Sequence, residues 1–180
     1  MAMSAKLDDT TGLVTLRHPQ LGEITFNPDG DPQAFLEWVH PIMPTNRAQS
    51  KRFVKVSNRG MTDSDFPSVT LCNSASHSAV ERKLGMDISK LRWRGNIWLD
   101  GLSEWEEFEW MGRDVQIGDA ILRPLERTDR CPSTNSNPET GVHDADVLSA
   151  LDSFGHRDFS VRAQVIQGGL IDLNSKATLL

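Results

Sequence analysis

Apolar and polar positions alternate through residues 13–17 (Leu-Val-Thr-Leu-Arg) and again through 23–26 (Glu-Ile-Thr-Phe). A period of two reads as strand, and His18-Pro19-Gln20-Leu21-Gly22 between them reads as a turn. Asn27-Pro28-Asp29-Gly30 then breaks the pattern. Asp31 is placed to cap a short helix with Pro32 at its first position, and Ala34, Phe35, Trp38 and Val39 share one helical face. Residues 52–56 have strand character, and Asn58-Arg59-Gly60 is a turn signal. Residues 68–72 (Ser-Val-Thr-Leu-Cys) read as a buried strand. It feeds a helix capped by Asn73 or Ser74, with Ala79, Val80 and Leu84 inward and Gly85 just past its end.

The second half follows the same logic. Residues 96–99 predict a strand leaving an arginine-rich turn, and Ser103 with Glu106 forms a capping box that opens about one helical turn. Residues 115–117 and 120–122 flank Gly118-Asp119 as a hairpin, and Asp144 is placed to cap a helix through Val147, Leu148 and Leu151. Residues 159–165 alternate strictly, and Gly168-Gly169 predicts a turn into a last strand over 170–173. The expected fold is mostly β with short helices (α+β), built on a β-barrel-like core.

Composition narrows the partners. The chain has 180 residues, enough for one domain with a sizeable core. Its formal net charge of −6 argues against nucleic acid, which needs a basic surface. No apolar run approaches the roughly 18 residues of a membrane span, and the N-terminus lacks the apolar segment of a signal peptide. Cys72 and Cys131 are too few for a disulfide framework, so a reducing, cytoplasmic setting is expected. The oligomeric state is left open.

Candidate chemistry centres on Cys131. It lies in Arg127-Thr128-Asp129-Arg130-Cys131-Pro132-Ser133-Thr134, where Pro132 ends regular pairing and leaves a cysteine at a strand exit. Arg127 and Arg130 would favour the thiolate and Asp129 would oppose it, so a working thiol and a small buried hydrophobe are both open readings. Cys72, at the end of a buried strand, reads as core packing. Arg92 and Arg94, two apart, share one side of an extended segment. They can grip a phosphate or carboxylate, or bridge surface carboxylates such as Glu104 and Glu106. His77 reads as a helix-surface histidine and His143 as a loop residue, and no second Cys or His stands at zinc-ligand spacing.

The constellation resembles the MOSC family, named after the C-terminal domain of molybdenum cofactor sulfurase. The resemblance rests on residues 63–71 with Asn73-Ser74-Ala75-Ser76, and on Leu91-Arg92-Trp93-Arg94-Gly95-Asn96 with the strand after it. It continues through the acidic–aromatic stretch 105–110, Ile117-Gly118-Asp119, and Arg130-Cys131 with Thr134 and Asn137-Pro138-Glu139-Thr140-Gly141. On this reading residues 1–180 are one MOSC-like domain, a small stand-alone member, with 60–180 as the core and 1–58 as an atypical N-terminal part. The resemblance implies that Cys131 carries sulfur as a persulfide, or ligates molybdenum in a bound molybdopterin. It assigns cofactor contacts to Arg92, Arg94, Asn96, Ser76, Arg130 and Thr134. The implied partners are molybdopterin or a sulfur donor or acceptor protein. A helix N-terminus near Ser76 would add an anion-binding feature. Larger members carry an N-terminal lysine–serine segment that helps clamp the cofactor, and residues 1–50 show none. Two alternatives stand beside sulfur transfer: a molybdenum-dependent reductase of N-oxygenated compounds, and a non-catalytic module that binds small anions.

Overall fold

The computed structural model describes residues 2–55 and 64–180. Its contacts form two compact units, one of Met1–Arg59 with Pro138–Gly141, the other of Gly60–Asn137 with Val142–Leu180. The predicted turn at Asn58-Arg59-Gly60 lies outside the described residues, as do Val56 and Asp63.

The first unit is a three-stranded antiparallel sheet of β1 (Ser4–Leu7), β2 (Val14–His18) and β3 (Gly22–Phe26), with α1 (Gln33–Val39) after it. Alternation located β2 and β3 but missed β1, whose four residues are all exposed and so carry no core stripe. Asp31 accepts the Gln33 amide at 3.0 Å, but the helix begins one residue later than expected, at Gln33 with Pro32 in the cap position. Phe26, Phe35 and Phe53 cluster with ring centroids 5.0–5.5 Å apart. Phe53 joins this cluster from irregular chain, so the strand predicted at 52–56 is absent over its described residues, 52–55.

The second unit is a curled six-stranded sheet in the order β5-β4-β8-β7-β6-β9. Its strands are β4 (Ser68–Asn73), β5 (Ile97–Leu99), β6 (Val115–Ile117), β7 (Ala120–Asp129), β8 (Asp158–Gln167) and β9 (Ala177–Leu179). Helix α2 (Ser74–Leu84) crosses between β4 and the parallel β5, and α3 (Val147–Asp152) precedes β8. This is the mostly-β half-barrel with short helices that the alternation predicts.

Two details differ from the sequence reading. The last strand is 177–179, paired with β6, while Leu170 and Leu173 are exposed, because Leu170 accepts the Asp119 amide from a loop. Asp146, not Asp144, caps α3 by accepting from the Ser149 amide. Among the described residues no helix is long and apolar enough to cross a membrane.

Candidate functional site

Three short segments converge on one polar cavity of about 380 Å³. The first follows α2. Ser89 caps a 3-10 turn over Lys90–Trp93, and Arg94 then takes a left-handed conformation at φ 51°. This turn, not an extended segment, is what places both Arg92 and Arg94 in the cavity wall. Gly95 follows because its backbone lies on the Cys72 sulfur, where a Cβ would come within 2.1 Å of Sγ. Asn96 closes the segment onto β4, accepting the Thr70 amide at 2.9 Å.

The second segment is the end of β7 and the loop beyond it. Cys131 is exposed and precedes a 3-10 turn over Pro132–Asn135. Its Sγ lies 2.9 Å from Ser133 Oγ. The Ser133 hydroxyl and then the Ser133 amide hold the thiol below its ordinary value, with Arg130 contributing least. Thr134 clasps the loop by donating its amide (3.1 Å) and hydroxyl (3.0 Å) to the Cys131 carbonyl.

The third segment is β8. Between Arg127 and Asp129 the β7–β8 register slips, so Phe159 and Ser160 together oppose Thr128. This bulge holds buried Ser160 at φ 72°. It also aims two acceptors at Arg130, whose guanidinium donates to the Phe159 carbonyl (2.7 and 3.2 Å), Ser160 Oγ (2.7 Å) and the Trp93 carbonyl (2.9 Å). Burial pulls the Arg130 pKa down to about 10, so it remains a cation at neutral pH. Its bonds go to carbonyls and a hydroxyl, so no carboxylate among the described residues is bonded to its charge. Arg130 therefore ties the three segments together rather than reaching outward.

Arg92 is organised differently. Its side chain is 2% exposed, pairs with Asp144 Oδ1, and donates to the Thr134 carbonyl at 3.3 Å. Asn137 donates to the other Asp144 oxygen at 2.8 Å. These bonds use both terminal nitrogens and leave Nε over. Among the described residues, the buried side-chain polar atoms without a partner are Arg92 Nε and Thr128 Oγ1. Both belong to residues lining this cavity. A buried donor without a partner costs about 1–3 kcal/mol, and both of these atoms belong to one cavity wall. Arg94 is exposed, and no ion pair or hydrogen bond among the described residues engages its side chain.

The structure thus gathers Cys131, Arg92, Arg94, Asn96, Arg130 and Thr134 around one cavity. Ser76 is not among the lining residues. Its hydroxyl donates to buried Glu107 (3.0 and 3.1 Å) and accepts the Trp105 amide at 2.9 Å. The anion at the N-terminus of α2 is therefore the chain's own carboxyl, also bonded by Asn73 at 2.7 Å. Burial raises the Glu107 pKa against these hydrogen bonds. Arg127 does not line the cavity; its guanidinium lies 4.2 Å from the Phe108 ring centroid. Glu104 pairs with Arg82 and Glu106 accepts the Ser103 amide, so neither meets Arg92 or Arg94.

His77 is buried, not a surface histidine. Trp93 Nε1 donates to its Nδ1 at 2.9 Å, and its Nε2 faces Glu81 at 3.2 Å. Cys72 is fully buried, with its thiol pushed up to about 12, as core packing demands. Among the described residues no group of three or more His, Cys, Asp or Glu is arranged to hold a metal.

Sequence reasoning passed over Arg162, Thr128 and Ser133. Arg162 lies opposite Thr70 on one side and Glu126 on the other, and bonds Glu126 at 3.2 Å and Asp129 at 3.4 Å. The available signal was its place on the polar phase of the 159–165 alternation.

A search of curated proteins finds no match. Among solved structures, YiiM from Geobacillus stearothermophilus is 17% identical, with a TM-score of 0.47, over 62% of this chain and 53% of that one. The chain thus spans about half of that protein's length. The MOSC domain model matches residues 59–176, well over half of the chain, and takes in the 3-10 turn, the cysteine loop and the bulged strand that build the cavity. The chain belongs to the MOSC domain family.

Proposed function

We propose that this protein carries sulfur on Cys131 as a persulfide and transfers it within the adjoining cavity. The observation that supports this most directly is the thiol itself, exposed at the cavity wall and 2.9 Å from the Ser133 hydroxyl. Persulfide chemistry needs a thiolate, and the Ser133 hydroxyl and amide stabilise one. Cys72 cannot substitute, because burial keeps its proton on.

A second reading is molybdenum cofactor binding, favoured by the unpartnered polar atoms of Arg92 and Thr128. The residues present fit an anionic pterin: Arg92 Nε, Arg94 and Thr128 Oγ1 would hold its phosphate, and the Cys131 thiolate would ligate molybdenum. Such a group, when bound, supplies two-electron redox chemistry. In this reading Arg130 and Thr134 hold the loop that presents the thiolate, and Ser76 has no part.

One experiment separates the readings. Mass spectrometry of the purified protein should show a fraction of Cys131 heavier by about 32 Da, one sulfur atom, which reductant removes. Molybdenum and pterin assays on the same sample test the second reading. Absence of sulfane sulfur, together with bound molybdenum that Cys131→Ser releases, would replace the first reading with the second.

A further inference from the structure

A persulfide needs only a reactive thiol, yet the wall beside Cys131 holds more. Arg94 has no partner among the described residues, Arg92 Nε is unpaired in a side chain only 2% exposed, and Thr128 Oγ1 is buried without a partner. Arg130 adds a cation whose bonds go to carbonyls and a hydroxyl. The other arginine in the wall, Arg162, is already held by Glu126 and Asp129. The cavity therefore brings an unpaired guanidinium, Arg94, and two buried unpartnered polar atoms close to the Cys131 sulfur, with four arginines in its lining against one carboxylate, Asp129. A neutral sulfur donor would leave these donors unsatisfied, and a phosphate ester would satisfy them but bring no sulfur.

Resting on the sulfur-carrier reading, we propose that the donor that loads Cys131 is a small sulfane compound with an oxyanion head group, of the thiosulfate class. Cys131 Sγ, as thiolate, attacks the outer sulfur of thiosulfate. The Sγ–S bond forms while the bond between the outer sulfur and the sulfonate breaks, its electron pair leaving on sulfite. One thiolate and one thiosulfate dianion give one persulfide anion and one sulfite dianion, so charge balances without a proton, oxidant or reductant. Arg92 Nε, Arg94 and Thr128 Oγ1 donate to the sulfonate oxygens and hold them as sulfite departs.

The test uses the reduced full chain and two donors: thiosulfate, and sodium polysulfide, which lacks an oxyanion. Peptide mass spectrometry follows the gain of about 32 Da on Cys131, and a colorimetric assay follows sulfite. Both donors should load the wild type, with one sulfite released per sulfur taken from thiosulfate. Arg94→Gln should slow thiosulfate loading by roughly tenfold or more and polysulfide loading several-fold less, since polysulfide is also an anion but has no sulfonate oxygens to accept a charge-assisted hydrogen bond from the guanidinium. Thr128→Val is a second variant that removes an unpartnered buried hydroxyl and so keeps the fold, and it should act in the same direction. Loading by polysulfide but not by thiosulfate overturns the donor class and leaves the carrier reading intact. Failure of both donors overturns both. Thiosulfate loading unchanged in both variants overturns the anion cradle.

Discussion

The contact between Gly95 and Cys72 sets up a double-mutant cycle. A Cβ on Gly95 would lie 2.1 Å from Cys72 Sγ, against 3.4–4 Å for ordinary contact. Cys72 is fully buried and cannot retreat into solvent. Gly95 has no positive φ, so alanine meets no backbone penalty there and the clash stands alone. Gly95→Ala should therefore cost the upper part of the overpacking range, about 3 kcal/mol. Cys72→Ala removes one buried heavy atom and should cost about 1 kcal/mol. In the double variant the sulfur is gone, and the next neighbours of the new Cβ stand at 3.5 Å (Cys72 Cβ) and 3.7 Å (Trp98 Nε1), both ordinary contacts. Its cost should fall near that of Cys72→Ala alone, a coupling of about 3 kcal/mol. Urea unfolding followed by tryptophan fluorescence reads this directly. With a slope of about 2 kcal/mol per molar, Gly95→Ala should lower the midpoint by about 1.5 M, and adding Cys72→Ala should recover about 1 M. Additive costs in the double variant would refute the close approach, and with it the argument that glycine at 95 lets the Arg92–Arg94 turn sit against the sheet.

Three further outcomes follow from the same structure. Ser133→Ala should slow alkylation of Cys131 by iodoacetamide at neutral pH and much less at high pH, because it removes the largest influence lowering that thiol; pseudo-first-order rates across pH give the comparison. In native protein a disulfide reagent should titrate one thiol, Cys131, and the second only in denaturant, since Cys72 is buried with its thiol pushed up to about 12. Glu107 binds its proton more tightly folded than unfolded, so its contribution to stability is present below the ordinary carboxylate range and is lost as pH rises through its raised folded value. The urea midpoint of the wild type relative to Glu107→Gln should accordingly fall as pH rises above that range; a pH-independent difference would contradict the burial of this carboxyl.

Much of the fold was legible because it rests on local rules. Alternation at 13–17, 23–26 and 159–165 marked strands found at 14–18, 22–26 and 158–167, since successive side chains of a strand point to opposite faces, and the apolar stretch 68–72 marked the buried strand found at 68–73. Asn73 and Gly85 bound α2 because a helix leaves its end groups unsatisfied and its last residue in a left-handed conformation. The exposed position of Cys131 was also legible, because Pro132 ends pairing there. The Arg92–Arg94 pair was legible as a pair but not in its geometry: an i, i+2 spacing reads as extended, whereas Ser89 caps a 3-10 turn there.

What sequence alone determined, then, is the type of most elements and the order of the segments that line the cavity, because propensity, capping and alternation act over a few neighbours. Only tertiary structure decided which charge meets which partner. Arg127 and Arg130 stand three apart, yet one lies over Phe108 and the other is bound beneath the cavity by a bulge 29 residues away. Ser76 looked like an anion contact until Glu107, 31 residues on, proved to be its anion. His77 looked solvated until Trp93 and Glu81 enclosed it. Arg162 carried no motif and reached the thiol's cavity through sheet register. Electrostatic partners are set by distance in space, and distance in space is a property of the packed sheet, so no reading confined to neighbouring residues could assign them.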